Sequence, residues 1–149
     1  MVKETEKKIQ NMLYDMNNEE VLKEMDNIID SEILYVYSYN YNWSDGFDIP
    51  KKIIEKECCD LSTALMIFYG ADGYRYLQEK NIQNDNLDEW EKFIKSLYET
   101  ILNRKYPIST IKFKPPLNKV QLYYLKKILD VNEKIFVEEI GTKNLNIIL

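Results

Sequence analysis

A residue able to cap a helix stands before an apolar run at helical spacing again and again along this chain. Asn17 with Glu20 precedes Val21, Leu22, Met25, Ile28 and Ile29; Ser31 precedes Ile33, Leu34, Tyr37 and Tyr41. Asp48 introduces Ile49, Ile53 and Ile54, with Pro50 tolerated in the first turn, and Asp60 introduces Leu61, Ala64, Leu65 and Phe68. Asn86 with Glu89 leads into Leu87, Trp90, Phe93, Ile94, Leu97, Ile101 and Leu102. Asn118 with Gln121 leads into a run in which Val120, Tyr124, Leu125, Ile128 and Leu129 are expected to face inward. The first backbone N–H groups of a helix have no partner within it, so a side-chain oxygen at these places is a start signal. Together with an amphipathic segment over 4–16, the pattern predicts an all-α fold. We expect a single domain over residues 1–149, an irregular bundle or α-solenoid-like stack of six to eight short helices with little or no strand.

Two features sharpen this. Gly and Pro number only four each, too few for a sandwich or barrel built on many tight turns. The ambiguous stretch is Ile33–Tyr41, whose ILYVY reads equally well as a buried strand; helical neighbours and the lack of an evident partner strand favour helix. Gly70 and Gly73 predict a break between helices over 61–69 and 73–80, or a close backbone approach. Asn81–Asn86 reads as a polar loop. Tyr106-Pro107 stops the long helix, and Pro115-Pro116 holds the following connector extended. The tail NLNIIL is too apolar to stand wholly in solvent, so burial in a partner subunit, giving a homo-oligomer, is one expected use of it.

Charge and composition exclude several classes. The net charge is −5, and the cations of Lys112–Lys127 are diluted by prolines and apolar residues, which argues against nucleic acid. An electropositive protein partner suits the charge better. No run is long and apolar enough for a membrane span, and charges interrupt the first sixteen residues as no secretory signal allows. Cys58 and Cys59 are adjacent and so do not bridge, which fits free thiols in a reducing cytoplasm. There is no histidine, which removes the commonest general base and transition-metal ligand. No phosphate-cradling glycine loop or nucleophile elbow occurs. We therefore expect no enzyme activity, no cofactor and no metal.

The strongest contrary set is Asp45, Asp48, Asp60 and Asp72, four carboxylates that would hold Mg²⁺ or Ca²⁺ if they converged, beside Trp43 and Tyr69. Turns and caps account for Asp at each of these places, Asp45 bonding its own backbone in a Ser44-Asp45-Gly46 turn. Cys59 lies next to the Asp60 cap, where a helix N-terminus can lower a thiol pKa. Trp43, Phe47, Phe68, Tyr69, Tyr74 and Tyr76 could line a ligand pocket, but aromatics at helical spacing more often belong to the core. Twelve tyrosines exceed what that core can satisfy, so some are expected on a recognition surface.

Asn42-Trp43-x-Asp45-Gly46-Phe47-x-Ile49-Pro50, followed by Cys59-Asp60-Leu61-x-Thr63-Ala64-Leu65 and Phe68-Tyr69-x-Ala71-Asp72-Gly73, resembles a family of small bacterial proteins known only as a domain of unknown function. Members read NWxDGFxIP and then CDLGTAL; here Ser62 stands where Gly is usual. The likeness covers Tyr39–Leu77. It implies kinship with the small acidic cytosolic proteins found beside polymorphic-toxin loci, which act as immunity factors. Catalytic residues are not among its implications. The expectation is a non-enzymatic binding protein that occludes a basic partner such as a toxin, with Trp43, Asp45, Phe47, Asp72 and Tyr74 as binding residues. The alternatives are a carboxylate-based metal-dependent enzyme or small-ligand sensor, and a structural oligomerisation module.

Overall fold

A computed structural model describes residues 1–80 and 87–149. It contains α1 (Lys3–Tyr14), α2 (Asn18–Met25), α3 (Ser31–Tyr39), α4 (Asp48–Ile54), α5 (Leu61–Gly70), α6 (Gly73–Glu79), α7 (Glu89–Leu102) and α8 (Lys119–Ile128). Two 3₁₀ turns, Trp43–Asp45 and Val131–Phe136, complete the set. Among the described residues no strand forms; isolated bridges join Ile111 to Lys143 and Phe113 to Ile140. The fold is an irregular all-α bundle.

α5 is its centre. Leu61 to Leu65, Ile67 and Phe68 are all buried, as a helix apolar on every side must be. It lies against α3, α4, α6 and α7, while α1 rests on α3 and α2 on α4. α3 buries Leu34 to Ser38 without interruption, so the ILYVY stretch is a core helix. Phe136 closes one end, 5.0 Å from the Phe68 ring and stacked on Tyr98 at 5.1 Å.

The caps fall largely where the pattern placed them. Asn17 and Glu20 form a reciprocal capping box, as do Asn118 and Gln121. Asp60 accepts the Thr63 N–H at 3.0 Å. Three starts differ. α3 is capped by Asp30, which accepts the Glu32 N–H at 2.9 Å, and Ser31 is the first helical residue. At α4 the cap position is Phe47 and carries no side-chain bond; Asp48 is the first helical residue and acts through its charge beside the positive end of the helix. α7 is capped by Asp88, which accepts the Glu91 N–H at 2.7 Å, whereas Asn86 and the expected 81–86 loop lie outside the described residues.

The α5–α6 break is present, with Asp72 in the left-handed region at φ 65°. Small residues are required on both sides of it. A Cβ at Gly70 would stand 2.7 Å from the Trp43 indole nitrogen, and one at Gly73 would stand 2.3 Å from the Phe68 ring.

α8 departs from expectation. Only Leu125 is buried, while Val120, Tyr124 and Ile128 are 77%, 40% and 39% exposed, and Tyr123 is 69% exposed. The helix sits at the edge of the bundle and commits one narrow strip to it. The apolar tail is held partly within the chain, with Ile148 left 83% exposed. Leu145 is buried, Tyr35 donates to the Asn146 side chain at 2.7 Å, and Asn40 donates to the Ile147 carbonyl while accepting the Leu149 N–H.

Candidate docking surface

The turn between α3 and α4 builds the site. Asn42, not Asp45, bonds the local backbone: its side chain accepts the Ser44 N–H at 3.1 Å and opens the Trp43–Asp45 turn. Gly46 then adopts φ 90°, and its carbonyl accepts the Tyr41 hydroxyl at 2.7 Å. Freed from the backbone, Asp45 is exposed, as is Asp48. The aromatics between them form a ladder. Trp43 meets Tyr41 edge-on at 5.2 Å and Phe47 at 6.3 Å, and Phe47 meets Phe93 of α7 at 5.1 Å.

The charge of this corner is negative. Burial raises the Tyr41 hydroxyl to about 12, and the nearby Asp45 and Asp48 carboxylates add to the effect. Asn18, at the start of α2, donates to the Asp45 carbonyl at 3.5 Å and ties that helix to the turn.

Phe47 and Asp48 lead directly into a groove of about 520 Å³ between α4 and α7. Phe47, Ile54, Phe93 and Tyr106 supply its apolar lining; Asp48, Glu55 and Glu89 alternate with Lys51 and Lys92 around it. Tyr106 is fixed by donating to the Ile54 carbonyl at 3.0 Å. The result is a concave apolar strip with a charged rim, suited to receiving another protein's side chains.

Of the five residues expected to bind, Trp43, Asp45 and Phe47 are brought together here. Asp72 and Tyr74 sit at the α5–α6 corner, where Tyr74 accepts from Gln78 at 3.3 Å and Arg75 lies 4.5 Å over the Trp90 ring. Among the described residues no hydrogen bond, ion pair or ring contact joins Asp72 or Tyr74 to the other three.

The four aspartates do not gather. Asp60 is buried in the core while Asp45, Asp48 and Asp72 are exposed, and among the described residues no three Cys, Asp or Glu side chains are placed to hold a metal ion. Tyr69, the aromatic grouped with them, donates its hydroxyl to the Phe136 carbonyl. The Cys59 thiol is pushed well up, not down: burial dominates, and the Asp60 and Cys58 charges add to it. At this helix start the desolvation of a thiolate outweighs the helix dipole.

One polar cluster has no counterpart in the sequence reading. Glu133, 3% exposed, accepts the Tyr98 hydroxyl at 2.6 Å, the Lys80 ammonium at 3.2 Å and the Asp130 N–H at 3.0 Å. The capping-box spacing of Asp130 and Glu133 was its one legible sign; Lys80 and Tyr98 are too far away in sequence to be paired with it by pattern.

Residues 29–102 match the model of a family described as Domain of unknown function (DUF4274). The matched segment begins just before α3 and ends with α7, so it contains the Trp43–Asp48 turn and both walls of the groove. It places that segment with a small domain-of-unknown-function family. No curated protein and no solved structure matches the chain.

Proposed function

We propose that this protein is a non-enzymatic binding protein of the immunity type, which occludes a basic partner such as a toxin. The observation that carries the reading is the exposed Asp48 carboxylate on a groove lined by Phe47 and Phe93, with the exposed Asp45 three residues before it in the same turn. Opposite charge speeds encounter, and aromatic anchors that lose their water on docking supply affinity. The partner would present a Lys or Arg to the carboxylates and an apolar side chain to the groove. Trp43, packed on Gly70 and Phe47, holds the turn in shape. A reducing cytoplasm suits the two free cysteines and is where such a protein would work.

Sequencing of the gene's neighbourhood, and co-expression with any secreted toxin module found there, tests the proposal. Wild-type protein should protect the cell, and Asp45→Lys with Asp48→Lys should abolish protection while the variant stays folded. Equal protection by that variant would remove the acidic turn from the contact. A neighbourhood of housekeeping genes alone would count against the immunity reading itself.

A further inference from the structure

α8 leaves Val120, Tyr123, Tyr124 and Ile128 uncovered on a helix that also exposes Lys119, Lys126 and Lys127. Spacings of three and four residues put Val120, Tyr123, Tyr124 and Lys127 on one outward face, with the Lys127 ammonium 5.7 Å over the Tyr123 ring. From Asn103 to Leu129 the chain has Arg104, Lys105, Lys112, Lys114, Lys119, Lys126 and Lys127 and no acidic residue, although its net charge is −5. Lys119, Lys126 and Lys127 are thus exposed on the helix whose apolar surface is open, while Glu138 and Glu139 share a groove with Lys126 and Lys114 pairs with Glu139.

We propose that this face docks in the α4–α7 groove of a second copy of the chain. The contact would set an exposed helical strip of Val and Tyr into the groove lined by Phe47, Ile54, Phe93 and Tyr106. The two surfaces are complementary in charge: Lys119 and Lys127 would meet Asp48, Glu55 and Glu89, while Lys51 and Lys92 on the same rim restrict the register to one that avoids them. α7 turns Phe93, Ser96 and Thr100 to the groove but Tyr98 to the turn that follows α8. α8 is absent from the residues that line its own chain's groove, and in the proposed contact it fills a neighbour's. The C-terminal tail, bonded to Asn40 at Ile147 and Leu149, takes no part in this proposed contact. The inference rests on the groove being a docking site, as proposed above, and adds a regulation: copies that cover one another's grooves must separate before a basic partner enters.

Sedimentation equilibrium of the full chain, from micromolar to millimolar concentration, is the test. The mass should rise above the 17.9 kDa of one copy, either stopping at a reciprocal pair or growing as an open chain. Raising salt from about 0.1 M to about 1 M, which cuts the Debye length from about 10 Å to about 3 Å, should weaken association several-fold. Val120→Glu should leave a folded single copy. Lys127→Glu and Asp48→Lys should each weaken association, and the double variant should recover it by restoring opposite charges. A single copy at every concentration overturns the proposal, as does association indifferent to Val120→Glu and Lys127→Glu. Failure here is separable from failure of the immunity reading, because Val120→Glu should still protect against the toxin.

Discussion

Replacing Glu133 with Gln should lower the melting temperature sharply and flatten the protein's response to acid. The carboxylate is almost fully buried and meets three donors: the Tyr98 hydroxyl at 2.6 Å, the Lys80 ammonium at 3.2 Å and the Asp130 N–H at 3.0 Å. Gln keeps one oxygen. If that oxygen stays on the Asp130 N–H, the amide NH₂ is turned toward Tyr98 and Lys80. The Tyr98 hydroxyl can rotate to accept; the Lys80 ammonium cannot. Its side chain is only 14% exposed, so it is left largely buried without a counter-charge. Removing one partner of a buried pair costs about 3–5 kcal/mol, and the partial exposure of Lys80 sets the lower figure as the expectation. At roughly 2–4 °C per kcal/mol for a domain of this size, the melting temperature should fall by about 6–12 °C.

The acid response follows from the same contacts. Burial alone would push the Glu133 carboxyl up, but the Tyr98 hydroxyl, the Asp130 N–H and Lys80 together outweigh it and hold the group below its ordinary 4.5. A group lowered by folding contributes its stabilisation above the unfolded value, and that contribution is lost as pH falls through the folded one. The gap between wild type and Glu133→Gln should therefore be widest at neutral pH and narrow as the solution is acidified past 4.5. Thermal melts followed by circular dichroism at neutral and acid pH measure both effects. A neutral-pH difference under about 2 °C, which corresponds to less than about 1 kcal/mol, would refute the reasoning. A gap that does not change with pH would refute its electrostatic part.

Further outcomes are open to direct measurement. Gly73→Ala would put a Cβ 2.3 Å from the Phe68 ring and 2.6 Å from the Phe68 carbonyl oxygen, a backbone atom with little freedom to yield, so urea unfolding should show a loss of about 1–3 kcal/mol. Asp60→Ala should lose about 1 kcal/mol with the cap on the Thr63 N–H. Asp60→Asn keeps that acceptor and removes a charge whose second oxygen is buried without a hydrogen bond, so it should match or exceed wild-type stability; a loss as large as that of the Ala variant would contradict this. In the native protein a thiol reagent should modify the half-buried Cys58 and spare Cys59, whose thiol burial pushes up, until denaturant is added.

What the sequence disclosed, and what it hid, divides by the range of the interaction. Asn17, Asp60 and Asn118 were legible as caps because a cap bonds a backbone amide three residues away, and that contact is written in the local spacing. The one-residue slips at Ser31 and Asp48 arise where two adjacent residues can each start a helix, as Asp30 and Ser31 can, and the choice depends on which side chain the fold leaves free. The same freedom explains the site. Asn42 takes the local bond that Asp45 was expected to make, and Asp45 is thereby released to solvent beside Phe47. Asp72 shares the motif with these residues and Tyr74 follows just after it, but the Asp72 turn ends α5 and carries both to another corner. At α8 the expectation fails because periodicity tells which residues share a face, and Val120, Tyr124 and Ile128 do; it does not tell whether anything in the same chain covers that face. Among the described residues nothing covers it fully, and that is why α8 has an apolar face available to another molecule.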